Sequence, residues 1–406
     1  MTYPSRSIAL GIVAIVTAAC TDAVPLVEPS SATPGAGYSA DVAKASASPR
    51  PTPDSTPSVG LPDPGTPPAG PEGGWVLYAD GYGWHMSDSA GGHKQEVPNN
   101  ARIIRTCPAF SPDGRLIAYA EDSYNDGYEI ERAVAVGVID DNGTLDWVLR
   151  FDVDATGTCP HWSPDGRYVA FLGYDNIARI ASLDGEVREV ALCGSGRNCD
   201  SRSVGSGYGV DLAWMHDSSA LVTLGRDGDV IVQPLDGRRA QPVYDGGQAA
   251  SIVASPTGPY AAMTFSVGLK SFVRVIDLDG SVIFEEETTD AASEGGVAWS
   301  PDGLRLAWSW AEGHEIGIRG VEPDSETVRL ELPPMPRAGT DTHLYGNSLA
   351  WSPDSKRLLL HVSTNAEGHA HAIVSIAADG SGNVVVHSPW TASLETSFHG
   401  FAWQPR

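Results

Sequence analysis

At 406 residues the chain is long enough for two or three ordinary domains, or for one large all-β domain. It carries 26 Lys and Arg against 51 Asp and Glu, a formal charge of -25, which excludes the basic surface that nucleic acid or anionic lipid requires. Eleven Trp and 41% hydrophobic residues supply a real core, so the chain is not disordered throughout.

Residues 1–20 read as an export signal. Arg6 precedes an apolar run from Ile8 to Ala19, too short to span a bilayer as a helix but the right length for the hydrophobic region of a signal peptide. The run ends Thr17-Ala-Ala-Cys20, with small residues before a cysteine. This ending resembles the lipobox of bacterial lipoproteins, although Thr17 stands where that pattern has Leu. The resemblance implies a lipid on Cys20; ordinary cleavage and release, or an uncleaved anchor, are the alternatives. Each of them exports the protein.

Residues 21–72 hold 12 Pro with many Ser, Ala, Thr and Gly and almost no large apolar side chain. Such a segment cannot bury enough surface to offset its ordering entropy, and it reads as a disordered tether. As a flexible coil it would span roughly 40 Å. The expected arrangement is a lipid in the cell membrane or outer membrane, with the domain 73–406 held clear of it, in the periplasm or on the cell surface. Contact with the membrane is expected through that lipid alone.

From residue 73 onward the chain repeats. The copies read Phe110-Ser-Pro-Asp-Gly, Trp162-Ser-Pro-Asp-Gly, Trp214-Met-His-Asp-Ser, Ala254-Ser-Pro-Thr-Gly, Trp299-Ser-Pro-Asp-Gly, Trp351-Ser-Pro-Asp-Ser and a final Trp403-Gln-Pro. Successive copies are 52, 52, 40, 45, 52 and 52 residues apart. Each full copy runs into a short apolar strand such as Val169-Ala-Phe or Leu358-Leu-Leu. A variable loop, a strand ending in an Asp-Gly turn (Ser182-Leu-Asp-Gly, Asp277-Leu-Asp-Gly) and a fourth strand follow. Pro presets φ at the first central turn position, Asp favours the second, and Gly takes the left-handed conformation. Four antiparallel strands per repeat make the blades of a propeller; a β-sandwich would not repeat one turn at such regular spacing.

The ends set the blade count. The seventh copy stops after Phe401-Ala-Trp403, and its missing three strands are found at residues 75–98. The expected fold is therefore an all-β, seven-bladed propeller whose last blade is shared between the two termini. These repeats resemble the TolB-type propeller family, with WD-like repeats carrying a Ser-Pro-Asp-Gly turn, across about residues 74–406. TolB-like proteins carry an α/β domain before a six-bladed propeller; here a tether stands in its place and the blade count is higher. The resemblance speaks to fold and carries little about function.

No Gly-x-Ser-x-Gly elbow, phosphate loop or His-Glu-x-x-His helix occurs. Loops joining strand four to the next strand one, and strand two to strand three, share one face, here called the top. The irregular segments 120–128, 191–210, 333–348, 363–371 and 387–399 lie there. They present Tyr124, Tyr208, His343, Tyr345, His371, Trp390 and His399 as candidate ligand-binding residues, beside Tyr128 and His369. His369-Ala-His371 lacks a third local metal ligand. The acidic loop 121–129 resembles a calcium loop, but Tyr124 occupies a ligand position. No metal and no cofactor are expected.

The four cysteines beyond Cys20 suit an exported protein. Cys193 and Cys199 close a short, glycine-bearing loop and are expected to bond. Cys107 and Cys159 both precede Pro at one repeat position; a second disulfide and two free buried thiols are both open for them. The leading functional expectation is a monomeric, non-enzymatic propeller that binds an envelope or extracellular protein, peptide or glycan on its top face. The rival is a hydrolase or lyase acting on a polysaccharide or peptide, with Glu121, Asp122, His343 or His399 as acid and base.

Overall fold

The chain divides into two units, Met1–Ser58 and Val59–Arg406. A computed structural model describes residues 71, 73–80, 83–98, 103–124, 130–140, 143–153, 159–173, 177–191, 212–224, 229–244, 249–267, 270–288, 295–310, 315–332, 342–364, 371–388 and 400–405, all in the second unit.

Every described strand belongs to one of seven four-stranded antiparallel sheets. The closing blade contains β1 (Trp75–Asp80), β2 (Gly83–Asp88) and β3 (Gln95–Val97), with β28 (Phe401–Trp403) on the inner side of β1. Blade 1 is β4 (Ile103–Phe110), β5 (Ile117–Tyr124), β6 (Ile130–Ile139) and β7 (Leu145–Val153). Blade 2 is β8 (His161–Trp162), β9 (Tyr168–Leu172), β10 (Ile177–Ser182) and β11 (Val187–Ala191). Blade 3 is β12 (Leu212–Trp214), β13 (Ala220–Leu224), β14 (Val230–Pro234) and β15 (Gln241–Tyr244). Blade 4 is β16 (Ala249–Ala254), β17 (Tyr260–Val267), β18 (Lys270–Asp277) and β19 (Val282–Thr288). Blade 5 is β20 (Gly295–Trp299), β21 (Arg305–Trp310), β22 (Glu315–Gly320) and β23 (Thr327–Glu331). Blade 6 is β24 (Thr342–Trp351), β25 (Arg357–Thr364), β26 (His371–Ala377) and β27 (Val384–Val386). Each blade's first strand touches the next blade's first strand all the way round, including β24 to β28 and β28 to β4. The seven-bladed ring with a shared last blade stands.

Two local devices build it. In each intact motif the serine is buried and does more than fill the turn. Ser111 Oγ donates to Asp113 Oδ1 (2.6 Å) and accepts from Leu116 N (2.9 Å), while Asp113 accepts from Arg115 N (3.1 Å). The same set recurs at Ser163 with Asp165, Ser300 with Asp302 and Ser352 with Asp354. Burial pushes the Asp302 carboxyl up, but the hydrogen bonds from Ser300 and Leu304 outweigh it and hold the group below its ordinary range. Where the final Gly is absent, Ser218 and Ser355 adopt the left-handed backbone themselves, with φ of 60° and 58°.

The aromatic residue before the motif is the second device. Trp162, Trp214, Trp299 and Trp351 each donate their indole N–H to a main-chain carbonyl of the preceding blade's first strand: Ala109, His161, Val253 and Ala298, at 2.9 to 3.2 Å. The tryptophan is thus an inter-blade stitch at these four positions; Phe110 and Ala254 have no indole, and Trp403 donates to Gly73 beside its own blade instead. Between blades the β pleat sorts side chains to two neighbours. On β25, Leu358, Leu360 and Val362 pack towards blade 5, whereas Leu359 joins Val76, Tyr78, Ile373 and Trp403 of the closing seam.

Two loop boundaries differ from expectation. β24 begins at Thr342, with a register slip between Leu344 and Leu349, so His343 and Tyr345 lie on an inner strand rather than on the loop before it. His371 opens β26, paired with Ser363, and is 1% exposed rather than displayed on a loop. The cause is the same in both: these strands extend past the turn signals because their neighbours are long enough to pair with them.

Candidate functional site

Strand one of each blade descends from the top face to the Ser-Pro-Asp-Gly turns, so the ring axis has an upper and a lower mouth. At the upper end of blade 1, β4 and β5 set Arg105 directly opposite Glu121. Glu121 is buried, with Arg105 Nε 3.6 Å from one carboxylate oxygen and Arg150 Nε 3.5 Å from the other. Arg150 also bonds Asp152, and Arg132 pairs with Asp122 at 3.5 Å. Beneath them Tyr119 is buried edge-on to Trp84, and burial pushes its hydroxyl up to about 12. This cluster clamps Glu121 between two guanidiniums. It braces the seam with the closing blade, where Trp84 donates to the Arg105 carbonyl (3.0 Å).

The seam on the other side of the closing blade is polar and buried. His387 is fully buried, 2.8 Å from Ser87 Oγ through Nδ1 and 3.0 Å from Ser375 Oγ through Nε2. Burial, then the charges of Arg357 and Lys94, lowers it to about 4. Higher in the same seam His361 lies 5.2 Å, ring to ring, from His371, and burial followed by that neighbour lowers it to about 3. His371 is therefore part of a blade-to-blade seam. His369, its partner in the two-histidine metal reading, lies outside the described residues.

Cys107 and Cys159 form a disulfide between the first strand of blade 1 and the residues leading into the first strand of blade 2, with Cα atoms 5.2 Å apart. Repeat equivalence alone would point both side chains the same way. The equivalence is broken: β4 slips register between Thr106 and Ala109, and Cys107 takes a left-handed φ of 55°. The bond closes 52 residues of chain separation, for which loop entropy gives about 4 kcal/mol. Replacing both cysteines by Ala is expected to lower the melting temperature by roughly 5–10 °C. Unchanged melting of the double variant under oxidising conditions would refute a stabilising role.

At the lower mouth a cavity of about 410 Å³ is lined off-centre by four consecutive blades, through Phe110, Trp162, Trp214, Ile252 and the motif prolines Pro112, Pro164 and Pro256. No protein-family model matches the chain, and no curated protein matches it. Among solved structures, a functionally unknown protein from Desulfotomaculum acetoxidans is similar at 12% identity, covering 82% of this chain and 100% of that one, with a TM-score of 0.52. A periplasmic gluconolactonase from Pseudomonas aeruginosa is similar at 16% identity over 82% of this chain and 97% of that one, TM-score 0.51. TolB from Acinetobacter baumannii follows at 15% identity over 82% and 67%, TM-score 0.46. The likeness is one of fold.

Of the expected site residues, Tyr208, Trp390 and His399 lie outside the described residues, as do Cys20, Cys193 and Cys199. Tyr124 ends β5, and His343 and Tyr345 lie on β24; their side chains are not described. The described structure thus assembles none of these into a site. What residue-level reading missed are the seams: Ser87 and His387 are 300 residues apart, and no local pattern announces their contact.

Proposed function

We propose that this protein is an exported, non-enzymatic binding propeller, held to a membrane by a lipid on Cys20 and recognising a protein, peptide or glycan of the envelope or cell exterior on its top face. The observation supporting export is the Cys107–Cys159 bond, because such bonds persist in oxidising compartments. The choice of face is supported by the fate of the turn side chains. On the lower face the serines and aspartates of the motif are spent on one another and on their own main chain. The Asp-Gly turns behave likewise: Asp236 accepts from Arg238 N (3.0 Å) and Asp279 from Ser281 N (2.9 Å). Groups already satisfied have little to offer a partner. The long segments expected on the top face hold the aromatic residues of this reading, Tyr208 and Trp390.

The test has two arms. Cys20→Ser is expected to leave the protein exported but unlipidated; unchanged mass and membrane fraction would reject the anchor. Tyr208→Ala, Tyr345→Ala or Trp390→Ala is expected to weaken capture of the partner from detergent-solubilised envelope while sparing the melting temperature. Asp236→Ala and Asp279→Ala should do the reverse. Capture that survives all three aromatic changes and fails with the turn variants would place recognition on the lower face.

A further inference from the structure

The cavity at the lower mouth owes its shape to departures from the repeat. Trp162 and Trp214 spend their indole N–H groups on the preceding blades, so what they offer the cavity is ring surface. At blade 4 the same position holds Ala254, and the tryptophan that would fill that side is missing. The motif prolines Pro112, Pro164 and Pro256 complete the wall, and among the described residues lining it none is Asp, Glu, Lys or Arg. Aromatic rings beside prolines, with few polar groups, suit an extended apolar edge better than a sugar or an ion.

The described chain enters the propeller at the rim of this cavity. Gly74 N donates to the Pro71 carbonyl (3.0 Å), and the Gly73 carbonyl accepts from Trp403. A Cβ on Gly74 would lie 2.5 Å from the Gln404 carbonyl oxygen, and the Gln404 side chain reaches Gly114 in the blade 1 turn (2.7 Å). Pro112, two residues earlier in that turn, is a wall of the cavity. The residues before Pro71 therefore leave from the lower face, next to blade 1.

What precedes is proline-rich, Leu61-Pro-Asp-Pro-Gly-Thr-Pro-Pro68, and lies outside the described residues. Leu61, Pro64 and Pro67 recur every third residue, the spacing of one edge of a polyproline II helix. Eight residues in that conformation extend about 25 Å, and the three from Pro68 to Pro71 add about 10 Å of reach. We propose that residues 61–68 dock in the lower-mouth cavity of their own chain, with the Leu61, Pro64 and Pro67 edge against Phe110, Trp162 and Trp214. Proline fixes φ in advance, so such a segment gives up less entropy on docking than a stretch of Ser and Gly. The contact fixes the end of the tether to the lower face and fills the lower mouth from within the chain. Recognition on the top face does not depend on it. This revises the expectation of a tether disordered along its whole length.

The experiment adds a labelled synthetic peptide with the sequence of residues 59–70 to the full chain and follows fluorescence anisotropy. The resident segment competes with it at an effective concentration on the order of millimolar. A Pro64→Ser and Pro67→Ser double variant, altered only in the tether, is therefore expected to bind the peptide at least about threefold more tightly than the unaltered chain. Ala254→Trp restores the residue of the other repeats and is expected to melt like the unaltered chain. Added to the double variant, it is expected to weaken peptide binding at least about tenfold by filling the cavity. Absence of peptide binding, or equal affinity for the unaltered chain and the double variant, overturns the proposal. Binding that Ala254→Trp leaves intact overturns it as well. Sedimentation identifies the source of the competitor: self-association that the double variant loses would place the segment in a second copy and refute docking within one chain.

Discussion

Truncation of the chain before Gly400 is expected to abolish the cooperative unfolding of the whole ring, not merely to fray one blade. The last residues make contacts that nothing else can supply. β28 pairs with β1 through Val76 and Trp403, Leu77 and Ala402, and Tyr78 and Phe401. Trp403 is buried and donates its indole N–H to Gly73 (3.0 Å). Gln404 stands where other copies have the motif serine. Its side chain accepts from Trp75 N (3.2 Å) and donates to the Gly114 carbonyl of blade 1 (2.7 Å). Gly114 itself has a φ of 70°, and a Cβ there would lie 2.3 Å from the Pro405 carbonyl, so the first turn is shaped to receive the C-terminal tail.

Losing the buried Trp403 costs about 3–5 kcal/mol, the half-buried Phe401 about 2–3 kcal/mol, and each hydrogen bond about 1 kcal/mol. The total of roughly 10 kcal/mol is comparable with the stability of a typical domain. The expected reading is a fall in melting temperature of about 15 °C, or no transition at all. Deleting residues 25–58, which hold no apolar face to bury, is expected to leave melting unchanged. A truncated chain that melts with the intact one would sink the shared-blade account.

Acid is expected to weaken the ring well above the pH at which carboxylates titrate. His387 and His361 are buried in the closing seam with folded values near 4 and 3, against 6.5 in the free side chain. The unfolded chain therefore takes up these protons first. Stability is fully present above about pH 6.5 and is lost as pH falls towards 4 and then 3. At about 1.4 kcal/mol per unit, each histidine removes roughly 3 kcal/mol by pH 4. The charged groups acting on His387 are Arg357, Lys94 and Asp88, and on His361 the neighbouring His371. The turn aspartates, held below their usual value, enter only below about pH 3.8 and so define a separate, lower window. Denaturant titrations at pH 7, 6, 5 and 4 read the slope. His387→Gln keeps hydrogen-bonding capacity and is expected to remove about half of the loss between pH 6.5 and 4, with His361→Gln removing much of the rest. If the doubly substituted chain keeps the slope of the unaltered one, the seam histidines are not its source.

The blades were legible from residue order because their chemistry is local. Ser163, Pro164, Asp165 and Gly166 lie within one turn, and the bonds that Ser163 and the Asp165 carboxylate make in it run between residues at most five apart. The second role of the motif tryptophan was not legible, since Trp162 reaches Ala109 across 53 residues. The candidate ligand residues are the aromatics and histidines carried by the irregular segments between repeat strands. That logic misplaces His371, because strand ends depend on the partner: β25 runs on to Thr364 and draws the start of β26 with it.

Seven recurrences of one turn, at regular spacing and with a truncated seventh copy, are enough to specify four-stranded blades, their number and the pairing of the two termini. Repetition converts weak local preferences into one consistent answer. Residue order leaves open whether Cys107 and Cys159 bond and which histidines are sealed between blades. Those outcomes depend on distances between segments brought together by ring closure. The slip in β4 that turns Cys107 towards Cys159, and the seam that holds His387 against Ser87, arise from packing between blades, where small departures from repeat symmetry choose the neighbours.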